Sequence, residues 1–417
     1  MARPYFVLPL LVGLNARNAD LGRAYSAEND IFLRTEEAYR DQLAALQRQR
    51  PRIEAEIKAV TEHRLQAKMS GSPISRRYRL VVTSLVLIVY PLESGNDTKR
   101  LRSGAMLVRN IRRVLGQVIG ATLVKAGFVS WSIATVRSAG LVTHVYFHRP
   151  SAAVFRNCIL WLMRRGYRAL ATAELEEAIV NDKELPPLSL HVSFDDAWRS
   201  NLTEVVHVAE SLDIPITIFV PTEPILCGHY WWTSVESVAR DGGRTVEWLK
   251  RMPDEERRAY VKEMTRESKL PREAMTLEEL RSIARLSNVT IGSHTLTHPI
   301  LPNCSDSVLE REVAESKCTL EHWLGMNVTS FAYPNGDFGE REYRAVQRAG
   351  YRTAFTAVQK HAWLTKAHPL ALPRFALLND AATSENIVRA TGLWNADSPI
   401  YSSYLRMCAQ SSLPRSQ

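Results

Sequence analysis

Cysteine is scarce in this chain of 417 residues: there are only five, widely spaced and without a Cys-x-x-Cys pair. An odd and sparse set argues against a disulfide framework and against a zinc site built from cysteine. Hydrophobic types make up 45% of the residues and charged types 23%. These values are close to globular averages, so intrinsic disorder and collagen-like structure are excluded as well. The length allows two domains, or one domain with additional segments.

Positive charge is in excess in only one part of the chain. The net charge is +9, and residues 76–137 contain eleven basic but only two acidic residues. Of the 53 basic and 44 acidic residues in the whole chain, 42 of each lie outside this stretch. The basic character is therefore a local property that calls for a local explanation.

The segments before residue 139 differ in composition. Residues 1–34 remain unassigned, because the apolar run Tyr5–Leu14 has too thin a charged start for a convincing signal peptide. Residues 35–70 are rich in helix formers with a narrow apolar stripe, interrupted by Pro51. This pattern predicts a helical spacer, either a short coiled coil or a solvated pair of helices.

Residues 71–138 are predicted to be a basic, apolar and helical segment. The run Leu80–Leu92 is shorter than the roughly 20 residues that a spanning helix needs, and Val114–Val136 carries Lys125 near its centre. Residues 76–137 could therefore lie on an anionic membrane surface, or pack against the following domain or a partner. Their arginines alternate with apolar runs and not with aromatic residues, so we expect no nucleic-acid partner.

From residue 139 to residue 395, short β-rich runs alternate with helical patterns. The predicted strands are Leu141–Phe147, Leu188–Phe194, Ile214–Val220, Val289–Ile291, Ser330–Tyr333 and Arg352–Phe355. The predicted helices are Arg156–Arg165, Thr172–Ile179, Leu202–Leu212, Ser307–Leu324 and Glu340–Ala349. This alternation indicates an α/β domain with a parallel sheet, open or closed into a barrel. Trp232–Pro271 reads as a polar, helical insertion between two strands, and residues 396–417 as a tail.

Three polar motifs follow predicted strands. The first motif contains Asp195 and Asp196, which directly follow a predicted strand. Adjacent residues leaving a strand point in opposite directions, so the two carboxylates can bind different partners. His294 and His298 are four apart, a spacing that puts both on one face of a helical turn. One Asp with two His is the ligand set of catalytic zinc and of open-sided iron sites. Each motif alone is equally typical of turns, caps or structural histidines. The third motif, Phe331–Gly336, runs from a strand into a turn that could form a pocket wall.

In this order, the motifs resemble motifs one to three of the NodB-type polysaccharide deacetylases, carbohydrate esterase family four. The resemblance extends over roughly residues 141–390 and includes Ile214–Thr222, Tyr230–Trp232, Glu315–Lys317 and Leu372–Arg374. It implies a distorted (β/α) barrel of about seven strands, with the site at the carboxyl ends of the strands. A mainly helical N-terminal region precedes this barrel.

The resemblance also implies a role for each residue. Asp196, His294 and His298 would hold a divalent metal, most often Zn²⁺, with Co²⁺, Mn²⁺ or Ni²⁺ as alternatives. Such a metal lowers the pKa of its water from about 16 towards 7, and Asp195 would act as the general base. The metal and a backbone N–H near Tyr333 would stabilise the oxyanion, with Pro334 and Asn335 completing the wall.

The sequence departs from the commonest family pattern at three places. No histidine follows Arg374, so the usual C-terminal element that supplies the general acid is missing. Val145–Arg149 instead resembles an element of a branch with permuted motif order, which includes the poly-N-acetylglucosamine deacetylases, and implies that His148 is the acid. A structural hydrogen bond is the alternative for His148. Ala332 replaces an arginine that orients the base, a role that Arg374 could take, and Ala197 replaces a glycine.

The function expected from these features is metal-dependent removal of N-acetyl groups from a polysaccharide or a glycan precursor. A catalytically silent glycan-binding or scaffold module on the same barrel is one alternative, and another amidase or esterase is a second. The sequence leaves the localisation open between the cell envelope, a membrane surface and its cytoplasmic face.

Overall fold

A computed structural model describes residues 102–238, 245–268, 270–362 and 368–394. The predicted segments 1–34, 35–70 and 396–417, together with the first part of 71–138, lie outside the described residues.

Eight strands form one sheet in which every named pair is parallel. The strands are β1 (Thr143–Phe147), β2 (Arg168–Ala169), β3 (Ser189–Phe194), β4 (Ile216–Val220), β5 (Val289–Ser293), β6 (Ser330–Ala332), β7 (Thr353–Phe355) and β8 (Phe375–Ala376). Their order is β7-β6-β5-β4-β3-β1-β8, and β2 pairs with β3. All residues of β3 and β4 are buried, as expected for parallel strands covered on both faces.

The segment before β8 connects the two ends of this sheet. Leu372 forms a parallel bridge with Phe355 of β7, and Phe375 of β8 pairs with Val145 of β1. The Thr356 N–H donates to the Leu372 carbonyl at 2.8 Å. The expected distorted (β/α) barrel is therefore confirmed. All six predicted strands are present, whereas the two-residue strands β2 and β8 were not predicted, because two residues show no periodicity.

Helices cover the sheet and fill the connections between its strands. They are α1 (Arg102–Lys125), α2 (Phe128–Ser138), α3 (Ala152–Met163), α4 (Thr172–Val180), α5 (His207–Ser211), α6 (Thr222–Cys227), α7 (Trp231–Val238), α8 (Val246–Leu249), α9 (Asp254–Thr265), α10 (Leu277–Ile283), α11 (Asp306–Leu324), α12 (Glu340–Arg348) and α13 (Thr383–Ala390). The region predicted as one helix, Leu202–Leu212, contains a π-helical turn at Leu202–Val206 before α5. A short α-helical turn, Arg199–Asn201, precedes it.

The predicted insertion between β4 and β5 is helical and contains α7, α8 and α9. Arg257 of α9 pairs with Asp254, both buried, and its guanidinium lies 4.4 Å from the ring centre of Trp231 in α7. A buried charge is stable only when it is paired, so this contact fixes α9 against α7. The insertion is attached to the rest of the domain by other contacts, since Asn303 Nδ2 donates to the Lys250 carbonyl at 2.7 Å and to the Met252 carbonyl at 2.9 Å.

Helices α1 and α2 pack against the barrel through α13. Arg112 of α1 forms an ion pair of 3.0 Å with the buried Glu385, and the Ser132 hydroxyl of α2 donates to the Thr391 carbonyl at 2.7 Å. Val129 and Val136 of α2 are buried. The described part of the basic segment therefore packs against the domain that follows it, which is the second of the two alternatives that the sequence left open.

Among the described residues, no single helix is both long and apolar enough to cross a membrane. Arg112–Lys125 and Phe128–Ser138 reach that length and composition only as a pair, with a bend of 66° between them.

Gly120 of α1 lies directly against the backbone of α13, which leads to a stability prediction. A Cβ added at Gly120 would lie 2.6 Å from the backbone nitrogen of Glu385 and 2.6 Å from the Ser384 carbonyl carbon. Because backbone cannot move aside as a side chain can, we expect Gly120→Ala to destabilise the chain by about 1–3 kcal/mol. Helix propensity alone predicts the opposite sign, a gain of about 1 kcal/mol.

Urea unfolding of the full chain measures this free energy. The matched control is Gln117→Ala at an exposed position of the same helix, which we expect to stay within about 0.5 kcal/mol of the unaltered chain. A more stable Gly120→Ala variant would contradict the packing of α1 on α13.

Candidate active site

The motif with Asp195 and Asp196 meets the motif with His294 and His298, because the strands before them end at the same edge of the sheet. The Asp195 N–H donates to the Phe147 carbonyl at the end of β1, and the His294 N–H donates to the Val220 carbonyl at the end of β4, both at 3.0 Å. Each of these residues therefore extends a strand ladder by one step before the chain turns. Regular backbone hydrogen bonds therefore fix the main chain that carries the side chains of the site.

Asp196, His294 and His298 form one buried cluster. Asp196 Oδ1 lies 3.6 Å from His294 Nε2 and 3.3 Å from His298 Nε2. The three ligand atoms lie within 4.8 Å of one another. Asp196 and Ala197 have φ angles of 76° and 53°, a left-handed turn that carries the chain away from β3. Ala197, where the family has glycine, thus occupies a conformation that costs energy for any residue with a Cβ.

The hydrogen bonds around this cluster fit a divalent cation. His294 Nδ1 lies 2.7 Å from the Ala332 carbonyl, which can only accept, so Nδ1 carries the proton and Nε2 presents its lone pair to the cluster. Asp196 Oδ2 accepts from Trp198 Nε1 at 3.0 Å, whereas Oδ1 is buried without a hydrogen-bond partner. Burial lowers the pKa of both histidines and favours the neutral form that binds metals.

The loop between the two histidines is not helical, so the prediction of a helical turn was wrong. Thr295 and His298 have φ angles of 70° and 56°, which interrupt any helix. The N–H groups of Leu296 and Thr297 donate to the Glu312 side chain and not to helix carbonyls. The two imidazoles still converge, because the loop folds back on itself.

Arg374 forms an ion pair with Asp195, the residue that precedes Asp196. Its guanidinium donates from Nη1 to Oδ1 at 2.8 Å and from Nη2 to Oδ2 at 2.9 Å. Arg374 is buried and also donates from Nη1 to Ser193 Oγ and from Nε to the Thr356 carbonyl. Its guanidinium carbon lies 4.2 Å from the ring centre of Tyr146.

The two adjacent carboxylates have pKa values shifted in opposite directions. Burial favours the neutral acid in both. Burial is the largest influence at Asp195, but the charge and hydrogen bonds of Arg374 together with the charges of His294 and His148 hold the pKa below its ordinary value. At Asp196 burial prevails over the nearby histidines and raises the pKa. The two shifts therefore favour the ionised form of Asp195 and leave Asp196 with the greater need for a compensating positive charge.

The remaining predicted site residues lie around the cluster. His148 Nε2 is 4.0 Å from Asp196 Oδ2, and its side chain is 45% exposed. Tyr333 is buried, with its hydroxyl donating to the Leu370 carbonyl and its N–H to the Phe355 carbonyl. Since that N–H continues the ladder between β6 and β7, Tyr333 itself does not offer the expected oxyanion donor. Pro334 and Asn335 form the 3₁₀ turn that follows.

Aromatic residues next to the cluster were not assigned a site role from the sequence. Trp198 donates to Asp196 Oδ2, the Tyr230 hydroxyl donates to the Asp196 carbonyl at 2.9 Å, and Trp231 Nε1 donates to the His298 carbonyl at 3.0 Å. Trp232 lies 4.5 Å from the His298 ring. Buried indole and phenol groups need acceptors, and here they use the ligand residues. The run of three aromatics at Tyr230–Trp232 was the available signal.

Comparison with known proteins points to one family. Residues 182–354 match the family model described as polysaccharide deacetylase. YxkH of Bacillus subtilis (strain 168), whose name assigns it to the polysaccharide deacetylases, is 21% identical over 196 residues. The match covers 47% of this chain and 54% of YxkH, so the chain spans about half the length of this curated relative.

Two solved structures are also similar. The Streptococcus pyogenes deacetylase PplD in complex with acetate is 17% identical, with a TM-score of 0.46 over 60% of this chain and 98% of PplD. IcaB from Ammonifex degensii is 19% identical, with a TM-score of 0.45 over 60% of this chain and 97% of IcaB.

The pairing of Asp195 with Arg374 leads to a prediction about stability. Arg374→Met leaves a carboxylate buried without its counter-ion, so we expect a loss of about 3–5 kcal/mol in the free energy of unfolding. Urea unfolding at neutral pH with a chelator present measures the loss without a contribution from bound metal.

The double variant Asp195→Asn with Arg374→Met is the matched comparison. Because it removes the charge that Arg374 compensates, we expect it to lose less than the two single variants together. Strict additivity would contradict a direct ion pair.

Proposed function

We propose that this chain, whose residues 182–354 match the polysaccharide deacetylase family model, hydrolyses N-acetyl groups on the sugars of a glycan. The observation that carries this proposal is the buried Asp195, bound by two hydrogen bonds from Arg374, beside the cluster of Asp196, His294 and His298. Amide hydrolysis requires a proton acceptor for the attacking water and a proton donor for the leaving amine. The site offers a candidate for each role.

Asp196, His294 and His298 would hold a divalent cation. We propose Zn²⁺, because two imidazole nitrogens and one carboxylate oxygen are a ligand set of catalytic zinc. When bound, such a cation lowers the pKa of a water molecule and polarises the acetyl carbonyl.

Asp195 acts as the base in this proposal. It takes a proton from the water whose oxygen attacks the acetyl carbon. Each carboxylate oxygen has a second lone pair beyond the one that accepts from Arg374, so the clamp leaves Asp195 able to accept this proton. The clamp also fixes the carboxylate plane, so the acceptor does not need to reorganise during the reaction.

His148 is proposed to donate a proton to the sugar nitrogen as the carbon–nitrogen bond breaks, which gives acetate and a free amine. Its imidazole is close to Asp196 but partly open to solvent, where a bulky substrate can reach it. Tyr333, Pro334 and Asn335 follow β6 and are proposed to form the wall of the substrate pocket on that side. The substrate class that fits this arrangement is an N-acetylated glycan.

Removal of the base tests the proposal most directly. We expect Asp195→Asn to lower the rate of acetate release from N-acetylglucosamine oligomers by about 10²–10⁴, because the amide cannot accept the proton. Chelation should abolish release by the unaltered chain, and Zn²⁺ or Co²⁺ should restore it.

Asp182→Asn, at an exposed position in a left-handed turn that asparagine tolerates, is the matched control and should retain full activity. Chelator-resistant release, or full activity in Asp195→Asn, would rule out this mechanism. Absence of release from every acetylated glycan would favour the silent scaffold.

The role of His148 is tested by changing the leaving group. We expect His148→Gln to slow release of acetate from N-acetylated sugars by about 10²-fold or more, because an amine must be protonated to leave. Hydrolysis of 4-nitrophenyl acetate should be much less affected, since nitrophenolate leaves without a proton. An equal loss on both substrates would contradict a general-acid role and would support a structural one.

A further inference from the structure

We infer that Glu312 is a positioning residue that holds the loop between His294 and His298 in its metal-binding geometry. The inference rests on the proposed function in one respect, namely that the cluster of Asp196, His294 and His298 binds a divalent cation. Glu312 lies on α11, outside the three motifs that define the site. It contacts none of the ligand side chains and acts through the main chain between them.

The Glu312 carboxylate accepts three hydrogen bonds from this loop. Its Oε2 accepts from the N–H groups of Leu296 at 3.0 Å and Thr297 at 2.9 Å, and its Oε1 accepts from the Thr297 hydroxyl at 2.9 Å. Both backbone donors belong to residues that lie between the two histidines. One side chain thus fixes the part of the loop that sets the separation of the imidazoles.

The same helix holds the start of the loop through a second contact. Ser316 lies one turn after Glu312 on α11, and its hydroxyl is 2.8 Å from the hydroxyl of Ser293, the residue before His294. Residues four apart share a face of a helix, so Glu312 and Ser316 face the loop together. Helix α11 therefore acts as a rigid support for the histidine loop.

Other contacts close the loop from the opposite side. The Thr222 N–H donates to the Thr295 carbonyl at 3.2 Å, and the Glu223 N–H donates to the Leu296 carbonyl at 2.8 Å. With the backbone anchored by β4 and α6 on one side, the Glu312 carboxylate supplies the acceptors on the other. The loop needs these acceptors because its left-handed residues prevent helical hydrogen bonds.

The burial of Glu312 makes its hydrogen bonds to the loop important. Glu312 is fully buried, and Arg258 Nη1 lies 3.7 Å from its Oε1 but is itself partly exposed. Burying a carboxylate is costly unless hydrogen bonds and charges compensate for it. Three hydrogen bonds from one loop to one side chain restrict the movement of that loop, whether the acceptor is a carboxylate or an amide. This rigidity is what a metal site with short bonds requires.

The test is metal binding by the full chain, freed of metal by chelation and dialysis. Titration with Co²⁺ reports both affinity and ligand geometry through its visible spectrum, and competition with Zn²⁺ gives the Zn²⁺ affinity. We expect Glu312→Ala to weaken binding by about 10- to 100-fold, the range typical of residues that orient metal ligands. We also expect its Co²⁺ spectrum to change.

Glu312→Gln separates geometry from charge. The amide oxygen can accept both backbone N–H groups and the amide nitrogen can donate to the Thr297 hydroxyl, so we expect near-normal affinity and spectrum. Glu315→Ala, an exposed glutamate on the same helix, is the matched control and should equal the unaltered chain. Thr297→Val removes a single hydrogen bond and should cause a smaller loss than Glu312→Ala.

The outcomes are distinguishable. Unaltered affinity and spectrum in a folded Glu312→Ala variant would overturn the inference alone, whereas failure of the unaltered chain to bind Co²⁺ or Zn²⁺ would overturn the proposed function with it. An equal loss in Glu312→Gln would assign the effect to charge and reject positioning by hydrogen bonds. If Glu312→Ala does not fold, the comparison of Thr297→Val with Glu312→Gln decides. Normal cation binding by Thr297→Val together with reduced cation binding by Glu312→Gln would reject the inference.

Discussion

The buried ion pair between Asp195 and Arg374 is the interaction on which the site depends. Without this ion pair the two consecutive carboxylates at the end of β3 would have pKa values shifted in the same direction, because burial favours the neutral acid in both. The guanidinium keeps Asp195 ionised and leaves Asp196 to the histidines. Arg374 lies in the segment that joins β7 to β8 and closes the barrel. The electrostatics of the site and the closure of the sheet therefore rely on the same short stretch of chain.

The sequence predicted those features that follow from periodicity and from parallel strands. Periodicity predicted the six longer strands and five of the helices, and the resemblance to the deacetylase motifs implied that Asp196 would lie near His294 and His298, which follow another strand of the same parallel sheet. The sequence did not predict the left-handed histidine loop, because the competing hydrogen bonds come from Glu312, a residue distant in sequence. The occupied N–H of Tyr333 was also unpredictable, since it depends on the register between β6 and β7. The composition of Leu202–Val206 contains no pattern that indicates a π-helical turn.

The basic segment shows a different limit of sequence reasoning. An apolar stripe on a helix indicates that it packs, but not against what. In the structure, α1 and α2 bury that stripe against α13, and the arginine at position 112 neutralises a glutamate that is itself buried. Gly120 permits the approach of the two backbones. The compositional border near residue 138 therefore falls inside a packed unit, at least for the residues that the structure describes.

The position of Arg374 near the carboxyl end of the barrel has a consequence for the order in which the site is completed during synthesis. A ribosome releases Asp196, His294 and His298 well before it releases Leu372–Ala376. A nascent or prematurely terminated chain that stops short of this segment contains the whole Asp-His-His cluster, yet it lacks both the closing strand and the counter-ion of Asp195. The cluster and the ion pair beside it are thus completed at different stages of synthesis.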